Sequence, residues 1–255
     1  MPGLLPEILA HKRQEVVARR LSLPQASLET AVKPGAGSFR TALSGDGLRL
    51  IAEVKPASPS AGTLRPALDL PSILASYNRY ASAISVLTDQ KYFNGSLGLL
   101  REVVKTSSHP VLCKDFVVDP YQVYEARLAG AEAVLVIVKA LDQATIREIY
   151  QIVLGLGMTP VLEIQNEPEL ERALGLSPSV VMINNRDLNS LAVDLQTTVR
   201  LAPLIPPEVL TVAASGIKCR EDVNALLPYC CRFLIGSSLM RSPDLDATLR
   251  ELSGL

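Results

Sequence analysis

The apolar positions of this chain fall into two rhythms that alternate along most of its length. Short continuous apolar runs rich in Val and Ile, at residues 48–54, 82–88, 110–116, 133–138, 159–164, 179–184, 208–215 and 231–237, read as strands buried on both faces. A half-exposed strand would instead alternate apolar with polar residues. Between these runs, the stretches 70–80, 97–105, 121–128, 144–156, 167–174, 197–204, 221–227 and 244–252 have helical spacing of their apolar residues. Turn signals punctuate the alternation: Asn94-Gly95, Gly155-Leu156-Gly157, Ser215-Gly216 and Gly236. Strands that each hand over to a helix predict a parallel sheet, and this number of them at this spacing predicts an α/β (β/α)8 TIM barrel. Upstream, Leu5, Ile8, Leu9, Val16 and Val17 give 4–20 helical spacing. A Pro/Ser/Gly-rich connector is expected through residue 37, then a short helix at 39–43. Residues 1–255 thus read as one barrel domain, with 1–47 a helical extension covering it.

The apolar runs end alike. The stretch 51–62, IAEVKPASPSAG, leaves its strand with Glu53 and Lys55 on one side, and later runs end in Lys114, Glu163, Asn184 with Arg186, and Ser215. Each has a structural explanation: a Glu53–Lys55 ion pair in the barrel mouth, a Lys114–Asp115 rim salt bridge, a solvated Glu163, or a polar turn at 184–187 capping the next helix. Gly236-Ser237 can serve close packing, and Cys113 can face the helix layer as an inert apolar residue. Their joint occurrence at the carboxyl ends of strands points instead to a site, because that face of a parallel barrel is where active sites are built.

Composition narrows the chemistry. With 255 residues, 48% of them hydrophobic, the chain can bury a large core. A formal net charge of -1 and 4% aromatic residues argue against nucleic acid. No apolar stretch reaches membrane-spanning length without a charge or breaker, and the charged amino terminus reads as an amphipathic helix, not a signal peptide. Cys113, Cys219, Cys230 and Cys231 lack ligand spacing, so reduced thiols in a cytoplasm are expected and no metal. Of the two histidines, His11 lies in the extension and His109 precedes a strand, at the end opposite the site. Acid–base work therefore falls to lysine and glutamate.

Several runs, IAEVK followed by ASPS, ASAISVLTDQKYFNGS, PVLCKDFVVDPYQVYEARLAGA, INNRDL and FLIGSSLMR, together resemble the indole-3-glycerol-phosphate synthase family over about residues 4–252. The resemblance implies a cofactor-free lyase of tryptophan biosynthesis. Its reaction is decarboxylative, dehydrative ring closure of 1-(2-carboxyphenylamino)-1-deoxyribulose 5-phosphate. Matched residue by residue, Lys114 is implied as general acid on the ketose oxygen and Glu163 as the second acid/base group. Glu53 is implied as its proton-transfer partner, with Lys55 beside it as a catalytic cation or alternate acid. Asn184 fixes substrate hydroxyls or Glu163, Arg186 lies near the benzoate carboxylate, and Ser58 belongs to the substrate-binding loop. Phe93 and Phe116 wall the aromatic ring, while Ser215, Gly216, Gly236 and Ser237 hold the phosphate through approachable backbone N–H groups. The expected partner is this phosphorylated small molecule, with the protein a monomer or homodimer.

The chain also departs from the family pattern. Ala214 stands where the family usually has the glutamate of ESGI, Pro56 replaces a basic residue after the first-strand lysine, and Ala61 replaces the lysine of SPSKG. These changes predict a less positive rim. They leave open a paralogue that cyclises another indole or aryl β-keto acid, as in scytonemin biosynthesis, and a non-catalytic barrel subunit. The first loop, 55–66, is a candidate lid. Because the sequence stops just after the eighth helix, the isomerase fused to some relatives is expected to be absent.

Overall fold

The computed structural model describes residues 3–59, 61–65 and 68–254. Among these, eight parallel strands close into a barrel: β1 (Arg49–Val54), β2 (Ala83–Leu87), β3 (Val111–Lys114), β4 (Ala133–Ile137), β5 (Thr159–Ile164), β6 (Val180–Asn184), β7 (Leu210–Ala214) and β8 (Arg232–Ile235). Each strand pairs with its sequence neighbours, and β1 closes the ring by pairing β8 as well as β2. Helices α4 (Leu70–Tyr80), α6 (Leu97–Thr106), α7 (Pro120–Leu128), α8 (Gln143–Gly155), α9 (Glu167–Leu174), α10 (Gln196–Leu201), α11 (Arg220–Leu226) and α13 (Leu245–Ser253) connect them, as the alternation predicts. Their starts are written in the sequence: Asp69, Ser96, Asp119, Asp142, Asn166 and Asp244 each accept a backbone N–H at the helix entry. Among the described residues, no helix is long and apolar enough to cross a membrane.

Strands end where side chains or glycines take over their hydrogen bonds. The run 110–116 is cut to Val111–Lys114 because Asp115 accepts the Phe116 N–H at 2.7 Å. The run 208–215 stops at Ala214 because Ser215 and Gly216 turn into the left-handed region, with φ of 68° and 86°. Two one-turn helices, α5 (Gln90–Phe93) and α12 (Ser237–Arg241), follow β2 and β8; they are too short for periodicity to reveal.

In the extension, α1 (Leu4–Ser22) and α3 (Ser38–Leu43) match expectation, whereas the connector through residue 37 holds an extra helix, α2 (Gln25–Ala31). One buried residue, Leu28, fixes α2, and a single apolar contact leaves no readable period. From α1 the chain descends the barrel wall. Arg19 meets Glu125 at 3.1 Å, Tyr121 donates its hydroxyl to Leu23 O, and Glu132 accepts the Ala36 N–H at 3.0 Å. Phe39 and Leu43 of α3 are fully buried near the strand starts, where Arg232 Nε donates to Leu43 O. Burying Phe39 alone contributes about 1.5–3 kcal/mol. At the mouth, the expected lid contains a two-strand pairing of Ala57–Ser58 with Gly62–Thr63, while Ser60 and Pro66 lie outside the described residues.

Candidate active site

The carboxyl ends of the strands and the start of α1 enclose a cavity of about 400 Å³. That volume suits one small ligand. Glu53, Lys55, Ser58, Phe93, Lys114, Phe116, Glu163, Asn184, Arg186, Ser215, Gly216, Gly236 and Ser237 all line it, so every site residue expected from the sequence reaches one space.

Two carboxylates are sunk into its floor. Glu53, 2% exposed, holds Lys55 Nζ at 2.7 Å, and its backbone oxygen accepts the Tyr77 hydroxyl from α4. Glu163, 1% exposed, accepts Asn184 Nδ2 on Oε1 at 3.0 Å. Its other oxygen faces Lys114 Nζ at 3.6 Å and has no hydrogen-bond partner among the described residues. This spacing is too long for a hydrogen bond and leaves a buried carboxylate oxygen open to a ligand.

The run 184–187 divides by direction. Asn184 and Arg186 line the cavity. Asn185 turns away, accepting the Thr198 N–H and hydroxyl of α10 and donating to Ser215 O. Asp187 closes its own loop, accepting the Ser190 N–H at 2.7 Å. The capping explanation therefore holds for Asn185 alone, which bonds α10, while Asp187 serves its own loop. Arg186 is held by Nη1 donating to Leu191 O at 2.8 Å, and burial, followed by the nearby Arg241, lowers its pKa. Lys114 and Asp115 do not form the rim bridge: Asp115 binds Lys12 at 3.0 Å and Thr88 at 2.7 Å.

Between β7 and β8 the mouth is made of small residues. The left-handed Ser215-Gly216 turn brings Gly216 against Leu195, 3.0 Å from where its Cβ would be. Ser238 Oγ donates to Ile217 O at 2.8 Å, tying the two loops together. Opposite them, the Phe93 and Phe116 rings lie 6.0 Å apart, tilted by 39°, with Leu5 and Ile8 of α1 completing an apolar wall.

The sequence reading missed Lys218 and Arg241, which also line the cavity. Together with Arg186 they have no carboxylate in ion-pair reach among the described residues, so the cavity keeps three cations despite Pro56 and Ala61. Their signal was available: both are basic residues shortly after the seventh and eighth apolar runs. The contribution of α1 to the wall had no such signal.

Other groups stay outside. His11 sits 3.4 Å from Glu15 and edge-on to Tyr92, and His109 lies near Asn78 O at 3.2 Å. Burial, then Asp115, pushes the Cys113 thiol up to about 12, which makes it inert. Among the described residues, no group of three His, Cys, Asp or Glu side chains is disposed to hold a metal ion.

Comparison with known proteins places this geometry. The family model for indole-3-glycerol phosphate synthase matches residues 5–252. The tryptophan biosynthesis protein TrpCF of Vibrio cholerae is 43% identical over 252 residues, covering 99% of this chain and 54% of that protein. The chain thus spans about half the length of the first curated relatives it matches. An indole-3-glycerol phosphate synthase from Variovorax paradoxus is 39% identical over 264 residues, covering 99% of both chains. Among solved structures, Salmonella typhimurium 3-hexulose-6-phosphate synthase superposes with a TM-score of 0.64 at 12% identity, over 81% of this chain and 97% of that one. A chain of the Pyrococcus furiosus tryptophan synthase complex gives 0.61 at 15%, over 82% and 99%. At such identities these two share the barrel fold alone.

Proposed function

Because the chain belongs to the indole-3-glycerol phosphate synthase family, we propose that it closes the pyrrole ring of 1-(2-carboxyphenylamino)-1-deoxyribulose 5-phosphate, releasing carbon dioxide and water. The observation that carries this reading is the open Lys114–Glu163 pair, an ammonium and an unpartnered carboxylate oxygen 3.6 Å apart on the cavity floor. A substrate oxygen lying between them can receive a proton from one group and have it managed by the other.

The steps follow from what each group can do. The ring carbon bearing the carboxylate attacks the ketose carbonyl, and Lys114 protonates the oxygen as charge develops on it. Arg186 holds the carboxylate in its planar fork until the carbon–carbon bond to it breaks and carbon dioxide leaves. Glu163, aligned by Asn184, and Glu53, paired with Lys55, then take the proton from the ring system and supply one to the departing hydroxyl. The phosphate lies on Ser215, Gly216, Gly236 and Ser237, and Phe93 and Phe116 flank the benzene ring.

Charge supports the phosphorylated substrate over a neutral-tailed keto acid. Arg186, Lys218 and Arg241 offer positive charge with no carboxylate partner among the described residues, suited to a phosphate dianion and a carboxylate together. The four free cysteines suit a cytoplasmic setting.

The test is indole formation by the purified chain, read by fluorescence; the absence of tryptophan keeps protein background low. Turnover that disappears in Lys114→Ala supports the reading. No turnover with this substrate, while a non-phosphorylated indole keto acid is consumed, would replace it.

A further inference from the structure

Lys12 lies on α1, remote in sequence from the groups of the mouth, yet it is 1% exposed. Its ammonium contacts three carboxylates, Glu15 and Asp89 at 2.8 Å and Asp115 at 3.0 Å. Burial alone would lower its pKa, but Asp115, Asp89 and Glu15 together raise it above the ordinary lysine range, so it is a permanent cation. A buried charge cluster of this kind is weak as a source of stability, because apolar residues of the same volume often do as well. Its contacts do tie α1 to the residues that follow β2 and β3.

Two of its partners lead directly to the site. Asp89 accepts the Tyr92 N–H at 2.7 Å and so starts α5, the turn that carries Phe93. Asp115 follows Lys114, and the oxygen that meets Lys12 also accepts the Phe116 N–H, while the other accepts the Thr88 hydroxyl. Thr88 in turn donates its backbone N–H to Lys114 O at 3.1 Å. Asp115 borders both the main cavity and a smaller one of about 110 Å³ that Lys12 lines. At its other end α1 presents Leu5 and Ile8 to the cavity, and Gly3 abuts Asn189 of the β6 loop, 2.9 Å from where a Cβ would stand. The helix therefore crosses the mouth from the β6 loop to the ends of β2 and β3.

We propose that Lys12 is a positioning residue for the ring closure: it pins α1 across the mouth and holds Asp89 and Asp115 so that Phe93, Phe116 and Lys114 keep their places opposite Glu163. The proposal rests on the function given above for the cavity. Lys12 touches no reacting atom; it acts through its two aspartates.

The experiment compares the wild-type chain with Lys12→Met, which keeps the buried stem and removes the charge. Lys12→Met/Asp89→Asn is run beside it; it removes one charge of each sign, and its amide can still cap α5. Two readouts are taken: kcat against KM with the carboxyphenylamino-deoxyribulose phosphate, and hydrogen–deuterium exchange over residues 90–93 and 114–118. The expected result is a fall in kcat of at least tenfold in both variants, exceeding any rise in KM, with faster exchange in both segments. A folded Lys12→Met with kcat within twofold of wild type, or faster exchange confined to α1, overturns the proposal. So does recovery of wild-type kcat in the double variant, which would show that only charge balance matters. Failure of both variants to fold would leave Lys12 a structural residue and overturn it too. If the wild type itself lacks turnover, the functional reading fails, and the exchange data alone decide whether Lys12 orders the two segments.

Discussion

Gly236 and Glu53 pack so closely that a Cβ on the glycine would lie 2.8 Å from Glu53 Cδ. The same carboxylate holds Lys55 Nζ at 2.7 Å, so the missing side chain after β8 sets the place of an ion pair at the end of β1. Gly236→Ala is expected to push the pair into the cavity and lower kcat/KM about tenfold, equivalent to ~1.4 kcal/mol. Steady-state kinetics with unchanged circular dichroism would check it; wild-type kinetics would mean that Glu53 yields freely.

Lys114 and Glu163 should behave as one unit. Lys114→Met and Glu163→Gln are each expected to cost about a hundredfold or more in kcat. Because each needs the other across the 3.6 Å gap, the double variant should be little worse than either alone. Multiplying losses would indicate independent roles.

Arg186→Lys keeps the charge but loses the planar fork and the bond to Leu191 O. The expected effect is a rise in KM of about tenfold with a smaller change in kcat, measured by initial rates.

The cysteines should differ sharply in reactivity. Burial raises the Cys113 thiol to about 12 and the Cys230 thiol to about 11, while Cys219 and Cys231 are partly exposed. Labelling of the native protein with an aromatic disulfide reagent at neutral pH, followed by peptide mass spectrometry, should modify Cys219 and Cys231 first. Early loss of Cys113 would contradict its burial.

The Asp187 carboxyl is lowered from 3.8 to about 2, chiefly by the Ser190 N–H, and it anchors the loop that carries Arg186. A depressed carboxylate stabilises the folded state at pH above its ordinary value, and that contribution disappears as pH falls from about 4 towards 2. Protection factors of the 186–193 amides, corrected for intrinsic exchange, should therefore stay constant between pH 5 and 7 and fall below pH 4. Asp187→Asn should abolish that dependence.

The apolar rhythm by itself determined the barrel. Short Val- and Ile-rich runs buried on both faces suit strands of a covered parallel sheet, and six of the eight helices between them are opened by an Asp, Asn or Ser that caps the first turn. The same rhythm placed Glu53, Lys114, Glu163 and Asn184 at strand ends, because the carboxyl end of a strand in this fold has a fixed direction. What the sequence left undecided depended on contacts between distant segments. The connector helix α2 rests on Leu28 against the barrel wall, and α5 and α12 are too short to hold a period. Whether Asp115 served Lys114 or another cation was settled only when α1 brought Lys12 across the mouth. Whether Lys218 and Arg241 faced solvent or the cavity was settled by the loops after β7 and β8. Local sequence fixes which residues lie on a strand and at which end, but the pairing of charges across a cavity is decided by packing, because that alone brings together groups that the chain keeps far apart.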